Sequence, residues 1–219
     1  MKPRAAPVYR RLMLEIRFHG RGGQGVVTTA EMLAVAAFEE GRFAQSVPSF
    51  GSERTGAPVT AFCRIDERRI RGHEPIAHPD VLIVVDPTLM RQIDVLDGAR
   101  PEVQVLINTS RPAETFVAGA HGQGLAGLTV RTVPAGEIAR RRLGRPLPGA
   151  ALLGACSALT GVVGLPAVLA AIAHRFGEGS ALAEANRAAA RDGHRWIETG
   201  GEACGEPPLL EPGRVSTHA

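Results

Sequence analysis

The stretch His-Gly-Arg-Gly-Gly-Gln-Gly, residues 19–25, sets Gly20, Gly22, Gly23 and Gly25 around Arg21 and Gln24. It lies between a short apolar segment and a run with helical spacing. A glycine-rich turn in that position suits an anion for two reasons. Missing side chains let the anion reach the backbone, and free N–H groups at a helix start point at it together with the helix dipole. Gly20, Gly22 and Gly25 satisfy the G-x-G-x-x-G spacing of a dinucleotide fold. That reading also needs an acidic residue about 20 positions on, at the end of the second strand. Gln45 and Ser46 stand there, and Glu39 and Glu40 fall earlier, inside the helix. The Gly-Lys-Ser/Thr triplet of a P-loop is missing. Three readings stay open: NAD, another phosphate-bearing ligand, or a tight turn whose glycines only permit close packing.

A second polar stretch, Ser-Val-Pro-Ser-Phe-Gly-Ser-Glu-Arg-Thr-Gly-Ala-Pro (46–58), carries Ser46, Ser49, Ser52, Glu53, Arg54 and Thr55. Placed after a second parallel strand, it shares the C-terminal edge of the sheet with the glycine loop, where ligands bind in wound folds. The two loops are therefore expected to line one crevice. The plainer alternative is a surface loop with a Glu–Arg pair worth under about 1 kcal/mol. No catalytic acid, base or nucleophile stands out. His19, His73, His78 and His121 are scattered without metal-ligand spacing, and His19 reads as a packed or solvated ring. Asp86 ends a buried strand at the ligand edge, and Asp86-Pro87-Thr88 also reads as a helix start.

The elements that position these residues follow from periodicity. Segment 14–20 is a short strand and 26–40 a helix closed by Gly41; 42–47 is a second strand. Residues 59–70 alternate, and the Asp-Glu-Arg-Arg within them is expected to turn a hairpin, which makes the sheet mixed. The continuous apolar runs at 80–86 and 102–110, with a third at 128–135, read as strands buried on both faces. A helix follows at about 135–144, ending in the basic cluster Arg140–Arg141–Arg142, where a helix C-terminus favours cations. Three helices then occupy 149–164, 165–177 and 180–197. In the first of them Ala150, Gly154 and Ala158 recur four apart, a pattern that lets two backbones approach closely and suggests a seam with another chain. The fold class is α/β: a wound sheet, mixed at 59–70, with helices on both sides and a helical C-terminal part.

At 219 residues, 44% hydrophobic and 21% charged, the chain suits one well-cored globular domain. We place it at 13–199, after a flexible arm (1–12) and before a loose Pro- and Glu-rich tail (200–219). A net charge of +3 does not argue for nucleic acid. Cys63, Cys156 and Cys204 form no C-x-x-C pair, so neither an iron–sulfur cluster nor a structural zinc is expected on this chain. The basic N-terminus lacks the apolar run of a signal peptide. The uncharged stretch 146–173 is interrupted by Ser157, Thr160, Pro166 and several glycines, so it is expected inside protein, not membrane. A cytoplasmic protein is the expectation.

Four motifs, in register, carry a resemblance: Gly-Arg-Gly-Gly-Gln-Gly-Val-Val-Thr-Thr-Ala-Glu-Met-Leu-Ala (20–34), Pro48–Asp66, Asp80–Met90 and Leu152–Leu165. Over about residues 13–197 the chain resembles the gamma subunits of the 2-oxoacid:ferredoxin oxidoreductases. Thr55 departs from the pattern, since many members carry a second basic residue after the Glu-Arg. The resemblance implies a three-layer α/β/α Rossmann-like unit, inactive alone, that packs on a thiamine diphosphate core and helps form a coenzyme A site. Gly20, Arg21, Gly22, Gly23, Gln24, Gly25, Ser52, Glu53, Arg54 and Thr55 are the implied contacts, with no catalytic and no metal-binding residue among them. Thiamine diphosphate with magnesium and the iron–sulfur clusters would sit on alpha, beta and delta partners, and electrons would pass to ferredoxin or a similar acceptor. Pyruvate is the favoured 2-oxoacid. Complexes for 2-oxoglutarate, branched-chain, aryl or indole 2-oxoacids, a scaffold subunit that binds no ligand, and a stand-alone NAD-dependent dehydrogenase are the alternatives.

Overall fold

The computed structural model describes residues 13–48, 56–117 and 124–201. The expected arm, the tail beyond 201, and residues 49–55 lie outside the described residues. A six-stranded mixed sheet runs in the order β2-β3-β1-β4-β5-β6, where β1 is Met13–Arg21, β2 Phe43–Pro48, β3 Pro58–Asp66, β4 Val81–Val84, β5 Gln104–Asn108 and β6 Thr129–Val133. Strands β1, β4, β5 and β6 are mutually parallel, and β3 is antiparallel to both β1 and β2.

The sheet is mixed, as expected, but the antiparallel strand is a single piece. Asp66 is the last residue of β3, and the chain turns back before this strand, between β2 and β3, not at Asp-Glu-Arg-Arg. The reason is pairing. Ala61, Cys63 and Ile65 are all buried on one face, so β3 needs neighbours along its full length, and it finds them in β2 and β1. Strand β2 therefore runs in the direction of β1 yet sits two places away, with β3 between them. The adjacent parallel β1–β2 pair of a dinucleotide fold is not formed.

One face of the sheet carries the helices: α1 (Val26–Glu39), α3 (Ala135–Leu143), α4 (Gly149–Thr160), α5 (Leu165–Phe176) and α6 (Ala181–Glu198). Ile16 and Phe18 of β1, Leu33 of α1, and Leu152 and Leu153 of α4 belong to this core, each fully or almost fully buried. The opposite layer is thinner. It is built from a 3-10 turn (Pro87–Arg91), the four-residue α2 (Glu114–Val117) and irregular chain. The segments that cross there, including 67–79, lack the apolar period of a helix and carry prolines, glycines and charges. Buried arginines hold them instead. Arg17 donates to the carbonyls of Val95 (3.0 Å) and Asp97 (2.7 Å), and Arg64 donates to the Glu74 carbonyl (2.7 Å) and to Glu15 (3.2 Å). Arg100 closes the set on Glu15 and Asp80 at 3.3 and 3.1 Å.

The small-residue helix finds its seam inside the chain, not at a second chain. A Cβ on Gly154 would collide with the Ala190 carbonyl of α6, and one on Gly193 would collide with the Ala151 carbonyl of α4. The two helices thus cross backbone to backbone. The uncharged stretch 146–173 becomes α4 and α5, separated at Gly161–Gly164, and no helix among the described residues is long and apolar enough to cross a membrane. Replacing Gly154 by Leu is expected to destabilise the fold by at least about 1–3 kcal/mol, because the obstacle is backbone that cannot yield. Thermal unfolding of the chain checks this, and an unchanged midpoint would refute the packing.

Candidate functional site

Chain connections diverge at the C-terminal ends of β1 and β4. After β1 the chain passes through α1 towards β2, and after β3 it crosses β1 to reach β4. Such a switch point leaves a crevice above the strand ends, where ligands bind in open α/β sheets. The glycine loop lies there, between β1 and α1.

Its glycines have separate reasons. A Cβ on Gly20 would press on Val26 Cγ2 at 2.5 Å and Val85 Cβ at 3.0 Å, so this glycine lets α1 close on the strand end. Gly23 (φ +90°) and Gly25 (φ +73°) adopt left-handed backbone that favours glycine. Gly25 caps α1 with no side-chain hydrogen bond, and the first helical bond is Thr29 N–H to Gly25 O at 2.9 Å. The amides of Gly23, Gly25, Val26, Val27 and Thr28 therefore have no acceptor among the described residues. They border an open depression of about 280 Å³ lined by Gly22, Gly23, Gly25, Val26, Val27 and Thr28 with Arg21 and Val59. The site is a fan of unpaired donors at the positive end of a helix.

The polar side chains of the loop face the protein. Arg21 donates from Nε to Asp86 Oδ2 (2.9 Å), from Nη1 to the Gly56 carbonyl (3.1 Å), and from Nη2 to Thr88 Oγ1 (2.9 Å) and Gln92 Oε1 (3.1 Å). Gln24 Nε2 also donates to Asp86 Oδ2 (3.0 Å), while its Oε1 accepts from the Arg21 amide (2.8 Å). Asp86 Oδ1 accepts from the Thr88 amide and hydroxyl at 2.9 and 2.6 Å. Asp86 is thus both the cap of the 3-10 turn and the anchor of the loop. In the sequence its only signal was its place after a buried strand and before Pro87-Thr88. Burial raises its pKa, but the hydrogen bonds from Thr88, Gln24 and Arg21 outweigh that and hold it below the ordinary aspartate value.

The second polar stretch reaches the same edge. Gly22 N–H donates to the Ala57 carbonyl (2.9 Å) and Gly56 N–H to the Gly22 carbonyl (3.1 Å). Ser52, Glu53, Arg54 and Thr55 themselves lie outside the described residues. Behind the loop, His19 is 5% exposed and neither ring nitrogen has a hydrogen-bond partner among the described residues. Burial, and then the Arg17 charge, lower its pKa to about 4, so the ring is neutral at pH 7. Among the described residues no three His, Cys, Asp or Glu side chains converge to hold a metal ion. Cys63 and Cys156 are fully buried, which pushes the Cys63 thiol far up and that of Cys156 to about 12, leaving both as inert thiols. A depression of about 640 Å³ lies beside β6 at the end of α6 and includes no residue of the glycine loop.

Two stability predictions follow from these carboxylate and imidazole sites. Asp86→Asn is expected to cost about 1–3 kcal/mol at neutral pH, since Arg21 and Gln24 lose their shared acceptor. A lowered folded pKa makes that stabilisation complete above the ordinary aspartate value of about 4 and lost as pH falls through the folded value. The gap between the wild-type and variant melting midpoints should therefore close in strong acid; a pH-independent gap would contradict the charged clamp. His19 acts in another window. The unfolded chain takes up its proton near pH 6.5, the folded chain only near 4, so wild-type stability should decline across that interval. His19→Leu is expected to flatten that part of the stability–pH curve, and an unaltered slope would show that the ring is not buried neutral.

Comparison with known proteins agrees with this architecture. The pyruvate ferredoxin/flavodoxin oxidoreductase family matches residues 15–196. The chain is 45% identical over 181 residues to the common gamma subunit of the pyruvate/ketoisovalerate oxidoreductases of Pyrococcus abyssi, covering 82% of this chain and 95% of that protein. It is 43% identical over 164 residues to pyruvate synthase subunit PorC of Methanothermobacter marburgensis, covering 75% and 87%. The crystal structure of the Thermotoga maritima pyruvate oxidoreductase subunit PORC superposes with a TM-score of 0.72 at 34% identity, over 84% of this chain and 97% of that one. The chain belongs to the pyruvate ferredoxin/flavodoxin oxidoreductase family, as a gamma-type subunit of a multi-subunit oxidoreductase.

Proposed function

We propose that this subunit supplies part of the coenzyme A site of a complex that oxidatively decarboxylates a 2-oxoacid, pyruvate by preference. The 2-oxoacid and coenzyme A become acyl-CoA and carbon dioxide, and two electrons leave for ferredoxin or a similar acceptor. Thiamine diphosphate with magnesium, and the iron–sulfur clusters, reside on alpha, beta and delta partners and supply the carbon–carbon cleavage and the electron path. This chain contributes binding. The observation that carries the reading is the fan of amides of Gly23, Gly25, Val26, Val27 and Thr28, unpaired among the described residues, at the positive end of α1 and beside the β1–β4 switch point. Phosphate oxygens of coenzyme A fit such a fan, because they accept several N–H bonds and their charge is favoured by the helix dipole.

Within this reading Arg21 and Gln24 are positioning residues. Their side chains are occupied by Asp86, Thr88, Gln92 and Gly56, so they shape the loop and leave its backbone to the ligand. Ser52, Glu53, Arg54 and Thr55 lie outside the described residues, and the family resemblance alone assigns them to the same site. Substrate preference resides in the other subunits, which fits relatives named as shared between pyruvate and ketoisovalerate enzymes.

Steady-state kinetics of the assembled complex test this. Gly23→Ala forces a side chain onto left-handed backbone at the loop tip. It is expected to raise KM for coenzyme A about tenfold or more, or roughly 1.4 kcal/mol, and to leave KM for the 2-oxoacid unchanged. A normal coenzyme A KM in a complex assembled in reduced yield would favour the scaffold role instead. A panel of 2-oxoacids in the same assay identifies the substrate.

A further inference from the structure

A second depression, about 420 Å³, opens on the other side of the first turn of α1 and shares Gly25 and Thr28 with the loop depression. Its walls are Met32 of α1, Leu143 and Leu147 around the α3–α4 link, Phe176 at the end of α5 and Leu182 at the start of α6. Leu147 and Leu182 stand 42% and 53% exposed, which leaves large aliphatic surface in water. Among the described residues no carboxylate lines the groove. Its charged members are Arg145 and Arg175, and neither guanidinium has a partner among the described residues. Arg140 and Arg141, on the neighbouring last turn of α3, are likewise unpaired, while Arg142 is taken by Asp192 at 2.7 Å. An exposed apolar groove rimmed by uncompensated positive charge marks an interaction surface, and its complement is apolar and acidic.

We propose that this groove is a docking site for another subunit of the complex, which inserts a large apolar side chain flanked by Asp or Glu. Leu147, Leu182 and Phe176 bury that side chain, and Arg145 and Arg175 pair with the carboxylates beside it. A small ligand matches less well, because the apolar surface stands proud at Leu147 and Leu182 instead of enclosing a volume. The assignment uses membership of a complex and is independent of the coenzyme A reading. The position has one consequence for the neighbouring site: a partner seated here walls the glycine loop from the α1 side.

Site-specific photocross-linking in the purified complex tests the proposal. Benzoylphenylalanine replaces Leu182 in one preparation and Leu147 in another, both exposed positions, and the adducts are mapped by mass spectrometry. The expected product joins this chain to one defined peptide of another subunit, with Asp or Glu within about four residues of the attachment point. Adding Arg145→Glu and Arg175→Glu should cut its yield at least fivefold while the far-ultraviolet circular dichroism of the full chain is unchanged. Several results would overturn the proposal: no intersubunit adduct, an adduct to a second copy of this chain or to its own residues 202–219, or an attachment peptide without acidic residues. Loss of the adduct on adding coenzyme A would also overturn it, since that result assigns the groove to the small ligand. Coenzyme A kinetics are read separately in the same preparations, so failure of one reading does not imply failure of the other.

Discussion

The Asp86 carboxylate is the point on which the site depends. One of its oxygens holds Arg21 and Gln24 from the loop after β1, and the other holds Thr88 at the start of the 3-10 turn after β4. Two chain segments separated by more than sixty residues therefore meet on a single group. Arg21 passes the constraint on through Gly56, which bonds to Gly22 and ties in the edge of β3. A loop so rich in glycine would otherwise sample many conformations, and its amides would point in many directions. With the clamp in place the loop is fixed while the amides of Gly23 and Gly25 stay without an acceptor among the described residues.

That arrangement separates two tasks that the sequence shows as one cluster. Side chains in residues 19–25 build the frame, and backbone donors at the tip and first helical turn remain open. Holding the donor set in place thus requires the frame residues, whose polar groups are spent on partners within the protein. The same separation recurs lower in the sheet, where Arg17, Arg64 and Arg100 hold irregular chain against a face that no long helix covers. On the helical face, by contrast, apolar packing suffices, and the tightest constraint is the steric one between Gly154 and Gly193.

Much of this was legible from residue order. The runs at 80–86 and 102–110 could only be strands buried on both sides, and the glycine turn between strand and helix had to lie at the ligand edge. Three features were not. Strand direction is a property of pairing, and nothing in Phe43–Pro48 distinguishes a strand beside β1 from one displaced by an inserted antiparallel neighbour. The partners of Arg21 were equally hidden, because an arginine in a glycine loop looks the same whether it meets an anion from outside or an aspartate sixty-five residues away. The small-residue helix shows the same limit: spacing announces a close approach, but only the fold says that the partner is α6 of the same chain.

The two depressions on either side of the α1 start follow from one cause. Helix α1 begins at the C-terminal edge of the sheet with a glycine cap and no side-chain capping bond, and depressions open on both sides of Gly25 and Thr28. One side is backbone and polar; the other is walled by aliphatic side chains and arginines. A molecule of either kind bound there meets the same helical turn, so occupancy on one side changes the dielectric and the access of the other.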